Sequence, residues 1–263
     1  MLPYLVFGRA NAKLRALENK LNRRLYTFSL ISGHSCPYAK ECLSKAVFNG
    51  EGWKIQDGLE TEFRCFSASE EAIYPNVRES RINNMQLVEL ATQDINKAIE
   101  AINVNIPNDC EVLRIHVGGD FKTQSYFDCW IEYAKSRPDV LFYAYTKSLP
   151  FWVRRIEDLP ENFVLTASYG GYKDELIAKH KLRYAVVVNP AIPGHKIIDA
   201  YTASINDVVY DIDHDDSHAA QNGNSFALVL HGIQPANTPA SEGLKQLKGF
   251  GSYNQKLGAN LNV

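Results

Sequence analysis

Three cysteines are the residues best suited to chemistry in this chain. Cys36 and Cys42 lie in "SGHSCPYAKEC" (residues 32–42) and Cys65 in "FRCFSASEE" (63–71). Their neighbours Gly33, His34, Ser35, Lys40, Glu41 and Arg64 are polar or turn-forming, unlike the apolar surroundings of a cysteine kept for packing. Three thiolates suit a soft site, either closed zinc with a fourth ligand or an iron–sulfur cluster. The Cys-x-x-Cys knuckle of structural zinc is absent from the sequence. Three buried structural cysteines are the plainer alternative. Arg64 beside Cys65 would help to stabilise thiolate charge.

The elements that must position these residues follow from β-rich runs, each ended by a polar or glycine-bearing stop. The runs are "YTFSLI", "EVLRIHV", "VLFYAYT", "NFVLTAS", "RYAVVVN", "DVVYDID" and "FALVLH". Between them, "RINNMQLVELATQDINKAIEAI" sets Leu87, Leu90, Ala91, Ile95, Ala98, Ile99 and Ile102 on one helical face. "SYFDCWIEYAKS" reads as a helix capped by Thr123, with Phe127, Trp130, Ile131 and Ala134 as its apolar stripe. Shorter helices are expected over "LPFWVRRIEDL", "YKDELIAKH" and "PASEGLKQL". Alternating strands and helices predict a parallel sheet. The expected fold is a single α/β domain built as an incomplete parallel (β/α) barrel, with a doubly wound sheet as the alternative. A helical extension is expected at 1–25 and a C-terminal helix and tail at 232–263.

In either sheet, ligands gather at the carboxyl ends of the strands. That face should receive His34 and Cys36, then Gly118, Gly119 and Asp120, then Lys147 and Ser148. It should also receive Ser168 to Gly171, Asn189 and the acidic run Asp213 to His218. Cys110 falls at the opposite end of its strand, and Cys129, beside Trp130, is expected as a buried free thiol. In "RIHVGGD", alternation puts Arg114 and His116 inside, where they need polar partners. A structural pair and a catalytic or substrate-contacting pair are both open. "DIDHDDSH" (211–218) lacks the glycine and terminal glutamate of a calcium loop. It reads either as a solvated acidic loop or as the source of a fourth iron ligand or a proton from His214 or His218. "SYGGYKDE" is a weak match to a phosphate turn, and no Gly-x-Ser-x-Gly elbow is present.

Composition excludes little beyond this. The 263 residues are 45% hydrophobic and 22% charged, with a formal net charge of -2. There is no basic excess for nucleic acid, and "AKLRALENKLNRR" reads as an amphipathic helix. No apolar run is long enough to span a bilayer and no signal peptide is evident, so a cytoplasmic setting is expected. Five cysteines in a reducing compartment then argue for metal binding or catalysis over disulfides.

Two resemblances bear on these residues. "SGHSCPYAKECLSKA", "FRCFSASEEAIYPNVRESRINN", "RIHVGGDF", "FYAYTKS" and "FALVLHG" resemble the phage protein family named after gene product 88. That resemblance implies a phage or prophage origin, hence the cytoplasm of an infected host, but no defined reaction. More distantly, three cysteines after the first strand and "VGGDF" after the second are similar to radical SAM enzymes. In those enzymes three cysteines hold a 4Fe–4S cluster whose fourth iron takes S-adenosylmethionine, and a Gly-Gly-Glu-Pro stretch meets the methionine amine. The resemblance implies a cluster on Cys36, Cys42 and Cys65, with Gly118, Gly119 and Asp120 at the cofactor. Here five residues part Cys36 from Cys42 and twenty-two part Cys42 from Cys65, Asp120 replaces glutamate, and Phe121 replaces proline.

The sequence thus leads to the expectation of a 4Fe–4S cluster with adenosylmethionine cleavage absent or very weak, and with His34, His214 and His218 as candidates for a fourth ligand. His116, Asp120 and Arg114 are the candidate catalytic residues, and a small molecule at the cluster face the candidate ligand. A cluster-dependent enzyme, a noncatalytic redox or scaffold protein, and a zinc-stabilised binding module are the function classes left open.

Overall fold

The computed structural model describes residues 2–247. In chain order the elements are β1 (Phe7–Arg9), α1 (Ala12–Leu21), β2 (Leu25–Phe28), and the strands β3 (Ser44–Phe48) and β4 (Trp53–Asp57). There follow α2 (Phe66–Ile73), α3 (Pro75–Asn83), α4 (Met85–Gln93), α5 (Ile95–Asn105), β5 (Val112–Ile115) and α6 (Gln124–Ser136). Next come β6 (Leu141–Thr146), α7 (Leu149–Val153), β7 (Phe163–Ser168), α8 (Glu175–His180) and β8 (Tyr184–Val188). The chain continues through β9 (His195–Ile197), β10 (Thr202–Ile205), β11 (Val208–Asp211), β12 (Phe226–Val229) and α9 (Pro239–Gln246). The expected tail beyond 247 lies outside the described residues.

The main sheet has seven strands in the order β1-β2-β5-β6-β7-β8-β12. β1 pairs antiparallel with β2, and the other neighbours are all parallel. The parallel strands succeed one another in sequence order without a reversal, so this is not a doubly wound sheet, which needs a switch point. Among the described residues β1 and β12 are edges and no pairing joins them, so the sheet is open. Right-handed crossovers in such an order carry the connecting helices to one face.

Alternation along the strands then gives two cores. Phe28, Leu113, Ile115, Phe142, Ala144, Leu165 and Ala167 face the helices, packing with Leu87, Ala98, Ile102, Phe127 and Trp130. Leu25, Val112, Tyr143, Val164, Ala185 and Phe226 face the other way and are covered by Leu14 and Leu17 of α1. The basic Leu-bearing helix of the sequence is therefore a packing element, and the expected N-terminal helical segment also holds the short edge strand β1.

Two expectations about elements are corrected. "DVVYDID" is not a strand of the parallel sheet; its residues form β11 in a separate antiparallel sheet, β11-β10-β9. Only a single parallel bridge, Ile212 to Ala227, links that stretch to β12. "RINNMQLVELATQDINKAIEAI" is not one helix. Asp94, extended at φ −157°, accepts from the amides of Asn96 and Lys97 and so caps α5 as a new helix. Thr123 does cap α6, accepting from the Tyr126 amide.

Candidate metal centre at the strand ends

The segment after β2 turns at Gly33, whose φ of +68° brings its backbone against Ser44. Cys36 follows, its Sγ accepting from the Gly33 amide at 3.3 Å. The segment then runs beside the turn after β7: Ala39 bridges Gly171, and the Glu41 amide donates to the Gly170 carbonyl. After Cys42 the chain leaves as the hairpin β3–β4 and comes back at once. Ser44 pairs with Asp57, and the Gly58 amide donates to the Leu43 carbonyl at 2.6 Å. The twenty-two residues between Cys42 and Cys65 are thus mostly an excursion whose ends meet. Cys65 is the N-cap residue of α2, and its amide donates to Ser44 Oγ at 3.3 Å.

Cys36, Cys42 and Cys65 therefore line one cavity of about 490 Å³. Around them it is walled by Gly118, Gly119, Asp120, Thr146, Lys147, Leu230 and His231, at the carboxyl ends of their strands. All three thiols are free and partly exposed, whereas Cys110 and Cys129 are buried in the helix-side core. Burial raises all three thiol pKa values, Cys65 to about 11. Charge on the neighbouring sulfurs raises Cys36 and Cys65 further, Cys36 also responding to Asp120. Two influences oppose this: the Lys147 charge lowers Cys42, and the Ser67 and Ala68 amides at the start of α2 lower Cys65. A thiol set that is costly to ionise alone gives up its protons to a bound metal.

A buried carboxylate fixes the first cysteine segment. Glu71 of α2, fully buried, accepts from the Ser32 amide at 3.0 Å, from Ser32 Oγ at 2.8 Å and from Arg81 at 2.8 Å. Arg81 also donates to Ser67 O and Glu70, and Arg78 to Glu71 O. No sequence motif marks Glu71 in advance. Its role comes from α2 crossing behind the loop.

The residues expected to meet adenosylmethionine, Gly118, Gly119 and Asp120, line the cavity and also lie against neighbouring protein groups. Asp120 has both carboxylate oxygens engaged: Oδ1 accepts from Thr146 Oγ1 at 2.6 Å and the Phe121 amide at 2.7 Å, and Oδ2 from the Lys147 amide at 2.8 Å. It ties the ends of β5 and β6 together, with two bonds on Oδ1 and one on Oδ2. Burial still raises its pKa to about 6 against those bonds. Gly118 and Gly119 approach Ser67 and Ser35 closely. A Cβ on Gly118 would lie 2.8 Å from Ser67 Oγ, and one on Gly119, at φ +85°, 2.6 Å from Ser35 Oγ.

The histidine expectations divide. His34 is exposed, with Nε2 3.3 Å from Ala46 O on the hairpin, and His218 stacks on Phe226; neither lines the cavity. His214 does line it, with Nε2 2.6 Å from Ala200 O. His231, which no sequence motif singled out, lines it as well. His116 departs from alternation: at φ +68° its ring turns to the helix side, with Nε2 2.9 Å from Tyr126 Oη and the ring against Phe121. Arg114 and His116 both line the cavity, but each has its own partners.

Arg114 does face inward. It and Lys13 share the buried carboxylate of Asp216, Lys13 at 2.6 Å, with Tyr143 and Tyr145 hydroxyls at 3.3 and 3.4 Å. Asp213 is also buried, accepting from the amides of Asp215 and Ala219. "DIDHDDSH" is thus partly internal, and the reading of a solvated loop is corrected. Of the other residues expected on this face, Ser168 lines the cavity. Ser148, Gly170, Gly171 and Asn189 do not.

Among the described residues, no group of three or more His, Cys, Asp or Glu side chains is disposed to hold one metal ion. No described helix is long and apolar enough to cross a membrane.

Comparison with known proteins leaves the distant likeness to radical SAM enzymes without support, since no curated protein and no solved structure matches the chain. The profile described as Gene product 88 does match, over residues 5–244, and the chain belongs to that family.

Proposed function

We propose that this chain is an iron–sulfur protein whose 4Fe–4S cluster is held by Cys36, Cys42 and Cys65. The observation that carries the reading is the convergence of three thiols, two from the segment after β2 and one from the start of α2, on one cavity at the strand ends. Amide donation to Cys36 Sγ, the amides at the start of α2 near Cys65 and the buried Lys147 all favour anionic sulfur there. When bound, the group would supply one-electron chemistry, with a potential set by hydrogen bonds to the sulfurs and by local charge. Glu71 would keep the Cys36 segment in place, and Asp120 would hold the β5 and β6 ends that form the far wall. The six parallel strands in sequence order are the arrangement an incomplete barrel of the radical SAM kind would use.

The engaged Asp120 carboxylate favours a redox or scaffold role over cleavage of adenosylmethionine. Protein purified without oxygen should carry about four irons and as many acid-labile sulfides per chain. Reduced and given adenosylmethionine, it should form no 5′-deoxyadenosine. Stoichiometric zinc without sulfide would refute the cluster. Cluster-dependent 5′-deoxyadenosine, lost in Asp120→Ala, would refute the noncatalytic reading.

A further inference from the structure

Three cysteines leave one iron of a four-iron cluster without a thiolate, and the surroundings of Cys65 point to what meets it. The residue before Cys65 is held by the side chain of Gln234. The Arg64 amide donates to Gln234 Oε1 at 2.7 Å, and Gln234 Nε2 reaches the Arg64 carbonyl at 3.3 Å. The same Nε2 lies 2.9 Å from the carbonyl of His231. The residue after Cys65, Phe66, packs its ring on the His231 ring with centroids 5.0 Å apart. Gly232, at φ +81°, passes so close that a Cβ there would sit 3.0 Å from Phe66 Cβ. Both chain neighbours of Cys65 are thus fastened to the turn that carries His231, and His231 lines the same cavity as the three thiols.

The imidazole is also held in one tautomer. Nδ1 lies 3.1 Å from the Val229 carbonyl, which can only accept, so Nδ1 carries the proton. Nε2 keeps its lone pair. A ring whose other nitrogen donates to a backbone carbonyl is the usual state of a metal-bound histidine. Of the three histidines expected at this position, His34 and His218 lie outside the cavity. His214 lines the cavity too, with Nε2 on Ala200 O, and His231 is favoured over it because its turn is fastened to both chain neighbours of Cys65.

We propose that His231, through Nε2, supplies the fourth ligand and closes the cluster as a three-cysteine, one-histidine centre. This rests on the cluster reading above. A neutral imidazole in place of a fourth thiolate leaves the centre one negative charge fewer, so its reduction potential is higher than that of an all-cysteine equivalent. It also leaves no iron free for a bidentate amino-acid ligand.

The test uses full-length protein with ¹⁵N-labelled histidine, purified without oxygen and reduced, examined by pulsed electron paramagnetic resonance and by potentiometric titration. Wild type should show nitrogen hyperfine coupling that is lost in His231→Ala and retained in His214→Ala. Should His231→Ala fail to load iron, His231→Cys serves: it should load, lose the coupling and move the midpoint to lower potential. A loaded wild type without nitrogen coupling, or coupling that survives either substitution at 231, overturns the assignment while leaving the cluster intact. A wild type that loads no iron removes the cluster itself, and the ligand with it.

Discussion

At the scale of single residues, the five cysteines divide by what surrounds them. Cys36, Cys42 and Cys65 share a cavity, while Cys110 and Cys129 are packed in the helix-side core, where burial pushes both thiols up to about 12. Replacing any of the first three with Ala should abolish iron binding and reduce soluble yield, because binding is coupled to folding. Cys110→Ala and Cys129→Ala should keep full iron content and lose about 1–2 kcal/mol of stability. Iron analysis of the five variants distinguishes the sets; bleaching in Cys110→Ala would contradict the assignment. Glu71→Gln should cost about 3 kcal/mol in urea unfolding, since it leaves Arg81 buried with a weakened partner. A loss under about 1 kcal/mol would mean that Glu71 does not anchor the loop. His116 gives a pH signature. Burial, then the Arg114 charge, lowers its pKa to about 3, so the folded state refuses a proton that the unfolded chain accepts near 6.5. Its contribution is full above pH 6.5 and is lost as pH falls from there toward 3, at about 1.4 kcal/mol per pH unit. His116→Asn, which tolerates the positive φ, should flatten the stability profile by that slope between pH 6 and 4. An unchanged profile would contradict a buried neutral ring.

At the scale of elements, the parallel strands and α6 were legible because periodicity and capping report local chemistry. The hairpin β3–β4 was not, since "SKAVFNGEGWKIQD" mixes charges and glycines over strands that bury little. Ala46 is its one fully buried apolar residue. Missing it made the Cys42-to-Cys65 spacing look unlike a metal loop, although the hairpin's ends meet at Leu43 and Gly58. "DVVYDID" was legible as a strand but not as a member of another sheet, because pairing partners are set by long-range contacts. His231 was missed because no spacing rule links it to Cys65. Gln234 and Phe66 make that link in space. Removing Lys45 to Gln56 and joining Ser44 to Asp57 through a short Gly-Ser turn should preserve iron stoichiometry. It should lower Tm, since the Arg78 guanidinium loses the Trp53 face 4.1 Å away. Loss of iron from a folded deletion variant would show that the hairpin does more than loop out.

At the scale of the whole molecule, an open, mostly parallel sheet carries its helices on one side and α1 on the other, and its strand ends enclose the thiols. The acidic run is drawn in by Arg114 and Lys13, so the lining of the cavity combines the three sulfurs with a buried charge triad around Asp216. The central question is what the three sulfurs hold. Its most direct test is anomalous scattering from crystals grown without oxygen, recorded on either side of the iron and zinc absorption edges. An iron peak is expected among Cys36, Cys42 and Cys65, within reach of His231 and absent below the iron edge. A peak that appears only above the zinc edge, or no peak at these sulfurs, would contradict it.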